Sequence, residues 1–388
     1  MSNAFERTSK ICAVMTAAAI VLSTAATNVL FPTTVLLSLV AGNWRIKFYR
    51  IVYNPIAIIF LLFYALFLVG TFYSTTALPD VLLILRKYDK FLLAVLFIPV
   101  FSEERWRSYA VNAFLVAIFL MLVASYLKAY SWFPCGFQKG VVEVFKDSIS
   151  FNFLMAFAAY LCLFKIVADQ RYRWLWVTFL LSIIYTILFR SIGRSGYFIF
   201  AGLMNLFFLQ KLRWRGLLAA IMSTVILFSL AFAFSPVFKK RINNAFNDIK
   251  IYNQNDNTSV GLRISFVKNS IKLIKAHPVF GTGTGSFTHE YAAIKSIPTH
   301  NPHNEYVYIA VQFGALGLII LLLLFGVPIW YSRFLPEEYK YITRGAVLGI
   351  ALGCLANSWL LDTTQGHFYA YFIVLCFSAF PIKIKDVS

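Results

Sequence analysis

Residues 306–332 read YVYIAVQFGALGLIILLLLFGVPIWYS, with no Asp, Glu, Lys or Arg. A helix needs roughly 20 apolar residues, about 30 Å at 1.5 Å each, to cross a hydrocarbon core. This stretch is therefore expected to span a membrane. Working outward, uncharged runs of similar length lie at 51–73, 108–127 and 216–238. Shorter ones lie at 148–164, 174–189, 195–210, 345–361 and 368–382, and the shortest at 91–102. Residues 11–44 carry no charge, and Asn28 and Pro32 are expected to divide them into two short crossings. A cleaved signal peptide over 1–28 is the competing reading of that basic, small-residue start. The reading is an all-α polytopic membrane protein with about twelve transmembrane helices, one integral membrane domain over 1–388.

Composition agrees. Of 388 residues 60% are hydrophobic and 13% charged, and mean hydropathy is +0.73, whereas soluble chains are nearer about 45–50% and 25%. Those figures exclude a soluble enzyme, a disordered chain and a coiled coil. Long runs rather than short alternating segments exclude an outer-membrane barrel. Five scattered Cys form neither a disulfide framework nor a ligand pattern. The net charge of +19 points to membrane lipid headgroups, not nucleic acid.

Charge sets the expected orientation. With a cytoplasmic N-terminus, the inner segments 1–10, 42–50, 102–107, 168–173, 211–215, 331–344 and 382–388 hold 17 Lys and Arg. The short outer segments near 28 and at 74–90, 128–147, 190–194 and 362–367 hold 8. The positive-inside rule then puts both termini in the cytoplasm. One large loop, 239–302 between helices 9 and 10, falls outside. Long loops do not obey the rule, so its nine Lys and Arg against Asp248, Asp256 and Glu290 ask for another explanation.

Polar chemistry collects at that outer face. The spans hold almost no ionisable residues, which argues against an ion-coupled transporter. Within the loop, 262–276 read as an amphipathic helix with Ile264, Val267, Ile271 and Ile274 on one face and Arg263, Lys268, Lys272 and Lys275 as the polar part. Such a helix either anchors the loop in the headgroup plane or binds a substrate phosphate, with Arg263 best placed because helix starts favour anions. The glycines of Pro278–Gly285 make either a phosphate nest or, more simply, a turn; no Gly-Lys-Ser/Thr follows, so this is not a P-loop. Thr299-His-Asn-Pro-His-Asn-Glu-Tyr306 brings two imidazoles to the start of a helix. The spacing matches no standard zinc pattern, so no metal or other cofactor is expected. A neutral His303 suits acid–base work on a hydroxyl. Arg190 and Arg194 flank the tight link Phe189-Arg-Ser-Ile-Gly-Arg-Ser-Gly-Tyr197, and their guanidinium forks either reach lipid phosphates or grip a pyrophosphate.

Together these residues resemble the O-antigen ligase family. The likeness rests on the outer turn Ser191-Ile-Gly-Arg-Ser-Gly196, Arg263 in Gly-Leu-Arg-Ile, His277-Pro-Val-Phe-Gly-Thr-Gly283, and Pro302-His-Asn-Glu-Tyr306 ahead of Gly314-Ala-Leu-Gly317. The resemblance implies a glycosyltransferase that moves O-antigen glycan from undecaprenyl pyrophosphate to lipid A–core oligosaccharide at the periplasmic face. It implies that Arg194 and Arg263 hold the pyrophosphate and that His303 activates the acceptor hydroxyl. Arg190, His300, Asn304 and Lys268 are expected substrate contacts. The turn reads Gly-Arg-Ser where the family has Ser-Arg-Gly, so Arg190 is a partner or substitute for Arg194, and His300 stands likewise to His303. The alternatives are an O-antigen polymerase with the same donor and, from another class, a lipid-linked glycan transporter.

Overall fold

The computed structural model describes residues 2–129, 143–294 and 299–382. Most of the link 128–147 and all but Ile382 of segment 382–388 lie outside them. Every regular element among the described residues is helical. In chain order these are α1 (Ser2–Leu22), α2 (Thr24–Val40), α3 (Trp44–Val52), α4 (Pro55–Gly70), α5 (Leu78–Val95), α6 (Glu104–Ala129), α7 (Ser148–Ala168), α8 (Arg173–Tyr185), α9 (Arg194–Leu212) and α10 (Arg215–Phe234). There follow α11 (Pro236–Lys250), α12 (Ser259–Ala276), α13 (Phe287–Ile294), α14 (Glu305–Tyr331), α15 (Glu337–Gly353) and α16 (Thr363–Phe377). Five helices are long and apolar enough to cross a membrane, or six if the bent pair α3 and α4, 79° apart, is one span.

Helix starts follow local chemistry. Ser23, Asn54, Asp147, Ser235, Thr258 and Asn304 each accept a backbone N–H of the first turn they precede, which satisfies donors a helix start leaves open. The break in 11–44 falls at Ser23 rather than near Asn28, and Pro32 lies inside α2. The core is aromatic. Residues Phe368–Phe377 of α16 are fully buried on all sides, so this helix is the bundle's axis. Phe114, Phe153 and Phe157 meet Phe368 edge-on or tilted, with centroids 4.7–6.0 Å apart. By contrast α10 is largely exposed on its flanks.

Two expected spans take a different form. Residues 91–95, expected to open a short crossing, are the end of α5, which begins at Leu78 and carries Arg86, Lys87, Asp89 and Lys90. Lys90 is buried and donates to the Asp362 carbonyl (2.9 Å). The long run 306–332 is not one straight helix. At Gly314 (φ 59°, ψ −149°) α14 folds back on itself. The Tyr306 and Phe325 rings lie 6.3 Å apart, where a straight helix would separate those residues by ~28 Å. A Cβ on Gly317 would sit 3.2 Å from the Ile309 carbonyl. The glycine-rich segment after α12 fills the fold: Thr282 and Gly283 N–H donate to the Val311 and Gln312 carbonyls (3.1 and 2.8 Å), and Ala315 and Leu316 N–H donate to the Pro278 and Val279 carbonyls (2.8 and 3.2 Å). Gly285 N–H goes to Gln312 Oε1 (2.6 Å) and Thr284 N–H to the Gly70 carbonyl (3.0 Å). These amides serve protein acceptors, so Pro278–Gly285 is a structural turn and not a phosphate nest.

Candidate active site

The link before α9 is held from beneath. Gly193 and Gly196 pack on Asn152 so closely that a Cβ on either would lie 2.3 Å from its side chain. Asn152 Nδ2 donates to Ser191 Oγ (2.6 Å), Ser191 Oγ to Glu143 Oε1 (2.7 Å), and Tyr197 Oη to the Ser191 carbonyl (2.9 Å). On this base Arg194 opens α9 and points to α12, where Nη2 donates to Ser259 Oγ (3.0 Å). Its nearest carboxylate, Asp248, stands 3.7 Å away. Arg190, half-buried, ends the π-helical turn Thr186–Arg190 that prolongs α8.

α12 gathers the other groups along one face. Ser259 and Arg263 are four residues apart and Phe266 three further on, spacings that stack side chains on one side of a helix. Ser259 touches Arg194, and Phe266 stacks on His303 at 5.9 Å and 26°. Burial lowers the Arg263 guanidinium pKa below its usual value, and Arg194 pushes it the same way. Two like charges thus share one region, and Asp248 pairs with Arg194 there at 3.7 Å. The apolar face of this amphipathic helix points away from the protein core: Ile264, Val267 and Ile274 are half-buried and Ile271 is exposed, while Gly261, Ser265, Phe266, Asn269, Ser270 and Leu273 pack inward.

His303 sits two residues before α14 in a left-handed conformation (φ 52°). A non-glycine residue there costs of order 1–3 kcal/mol, and the turn is held by its N–H on Asn301 Oδ1 (2.9 Å). Its ring tautomer follows from a chain of bonds. Asn357 Nδ2 donates to Asp362 Oδ2 (3.0 Å), which turns Asn357 Oδ1 toward His303 Nδ1 (2.9 Å). Nδ1 therefore carries the proton and Nε2 keeps a lone pair. Burial pulls the His303 pKa below 6.5, the Asn357 bond partly opposes it, and Arg263 adds to the lowering. A neutral imidazole with a free acceptor nitrogen can take a proton from a hydroxyl. Burial raises the Asp362 carboxyl to about 6, against the pull of nearby Lys90.

The structure thus brings Arg194, Arg263 and His303 to α12. Asn304 is occupied at both ends, accepting from Val307 N–H (3.1 Å) and donating to the Leu355 carbonyl (3.1 Å). His300 and Lys268 are exposed. Asn357 and Asp362 were missed by the sequence reading, although Asp362 is the sole carboxylate between Glu338 and Asp386, a signal in a stretch so poor in charge. No three His, Cys, Asp or Glu side chains converge as a metal site among the described residues.

Residues 177–322 match the family model described as O-Antigen ligase. An uncharacterized protein of Haemophilus influenzae is 27% identical over 190 residues, covering 44% of this chain and 48% of that protein. The chain thus spans about half the length of the curated relative it matches. A chain from a peptidoglycan synthase complex that coordinates polymerization and crosslinking is 15% identical at a TM-score of 0.47, over 83% of this chain and 96% of its own. The family match takes in Arg190, Arg194, Arg263 and His303 together, so this stretch of the chain is similar to the O-antigen ligase family.

Proposed function

We propose that the protein transfers O-antigen glycan from undecaprenyl pyrophosphate to lipid A–core oligosaccharide at the periplasmic face of the bacterial inner membrane. In this reading α1, α2, α4 to α10 and α14 to α16 make twelve crossings, both termini are cytoplasmic, and 239–302 is the periplasmic loop carrying α11, α12 and α13. The observation that supports it best is the α12 face, where two mutually repelling arginines stand beside a neutral imidazole with one free nitrogen.

Arg194 and Arg263 grip the donor pyrophosphate, with Arg190 beside them, and neutralise the charge that grows as it departs. Stabilising a developing charge in this way commonly lowers the barrier more than any other single effect, by about 3–4 kcal/mol per donor group. His303 Nε2 takes the acceptor hydroxyl proton as that oxygen bonds to the anomeric carbon. The bond from this carbon to the pyrophosphate oxygen breaks, its electron pair leaves with the lipid pyrophosphate, and the proton passes to solvent. Asn357 and Asp362 hold the imidazole in the required tautomer. His300 and Lys268 contact outlying parts of the substrates, while Asn304 sets the start of α14. The chemistry needs no nucleotide or metal, so EDTA should leave the rate unchanged.

Purified protein, reconstituted with donor and either lipid A–core or a lipid-linked glycan, tests the assignment. Transfer to lipid A–core, absent from His303→Ala, is the expected result; transfer only to the lipid-linked glycan would make the protein a polymerase. Movement of donor across vesicles without bond formation would make it a transporter.

A further inference from the structure

Asn357, the partner of His303, also lines a cleft of about 460 Å³, within the ~300–1,000 Å³ of small-molecule sites. It is walled by the turn into α2, the start of α7 and the link into α16. Ile149 is its one apolar lining residue among the described residues; Thr24, Ser150, Thr364, Gln365, Asn357 and Asp362 supply hydroxyl, amide and carboxylate groups. A lipid tail would find no apolar wall there. A phosphate would meet the Asp147 and Asp362 carboxylates, which already oppose each other, and the adjacent cation, Lys146, is held by Thr24 Oγ1 (2.9 Å) and Thr364 Oγ1 (3.1 Å). What remains is an uncharged ligand dense in hydroxyls.

We infer that this cleft binds a saccharide, the stretch of acceptor glycan adjoining the sugar that receives the new bond. The assignment to the acceptor rests on the function proposed above. Of the arginines that would hold the donor, Arg263 lies on α12 and Arg194 reaches it from α9, and neither lines the cleft. Because Asn357 and Asp362 line the cleft and also set the His303 tautomer, a sugar seated there touches the groups that make the base ready.

The test is saturation-transfer NMR on the purified full chain with two probes, lipid-free core oligosaccharide and a lipid-free oligosaccharide of the donor repeat, alongside steady-state kinetics. Thr24→Trp fills the cleft from its exposed rim and Thr363→Phe from α16, while Thr24→Val removes the Lys146 contact and leaves the space open. Each variant is first shown to accumulate and melt like the wild type. Core oligosaccharide should receive saturation from the wild type and from Thr24→Val but not from the filled variants. Acceptor KM should rise about tenfold or more in the filled variants with donor KM and kcat unchanged, the signature of lost uniform binding. Undiminished binding of core oligosaccharide by both filled variants, or binding of the donor repeat alone, would overturn the inference. If His303→Ala transferred glycan normally, the enzymatic reading would fall, while NMR binding lost on filling would still establish the cleft as a saccharide site.

Discussion

The two ends of the bundle treat their cations differently. At the end that holds the N-terminus, Lys10 is clasped by Glu6 and Glu103 at 2.7 and 2.6 Å, and Lys165 and Lys211 each face a glutamate at 3.3 Å. At the end that holds the loop, Arg194 and Arg263 lean on each other's field with Asp248 at 3.7 Å. A cation with its counter-charge supplied ties helices together. Two guanidiniums with one carboxylate between them keep positive charge to spare for an anion that arrives from elsewhere.

The largest effect should follow from breaking the arginine end. Arg194→Ala and Arg263→Ala should each cut transfer by about 10²–10³-fold at saturating acceptor, read as initial rates in vesicles; near-normal rates from both would erase the contrast. Asn357→Leu comes next. It removes the acceptor that fixes Nδ1–H, so part of the roughly 10²–10⁴-fold due to a general base should go. It should also move the acid limb of the rate profile to lower pH, since that bond is the one influence raising the His303 pKa. In the wild type, neutral His303 is the active form, so the rate should climb with pH to a plateau through a midpoint below 6.5. A midpoint above 6.5 would contradict the lowered pKa, and a rate that fell as pH rose through this range would mean the protonated ring is used instead. Gly314→Ala probes the clamp that seats the loop: its Cβ would lie 2.4 Å from the Val279 carbonyl at a backbone angle suited to glycine. A cost of about 1–3 kcal/mol is expected, visible as a lower melting temperature. The smallest change should come from Lys165→Ala at the paired end, at most ~1 kcal/mol of stability and no change in transfer.

Much of this was legible beforehand. Charge-free runs locate most of the long apolar helices because hydrocarbon tolerates few charges, and Arg194, Arg263 and His303 stand out by their place in short polar motifs beside such runs. Other features escaped for physical reasons. Helical periodicity finds the two sides of α12 but not which one meets protein, and here the small and polar side is inward. Hydropathy averages over a window and so passes across Gly314, where one pair of dihedral angles reverses the chain. Lys90 looked like a loop residue because its charge is met by Asp362, nearly three hundred positions away in the chain. Asn357 and Asp362 are commonplace between helices, and only the bond to His303 gives them meaning.

The reversal at Gly314 decides how deep the reaction lies. Tyr88, whose hydroxyl donates to Glu305 (2.6 Å), is ten residues into α5, about 15 Å along its axis. The imidazole two positions before Glu305 is therefore recessed within the bundle instead of perched on its rim. Under the proposed function a reacting sugar would descend to it, and a carrier already lying among the acyl chains would have the shorter journey.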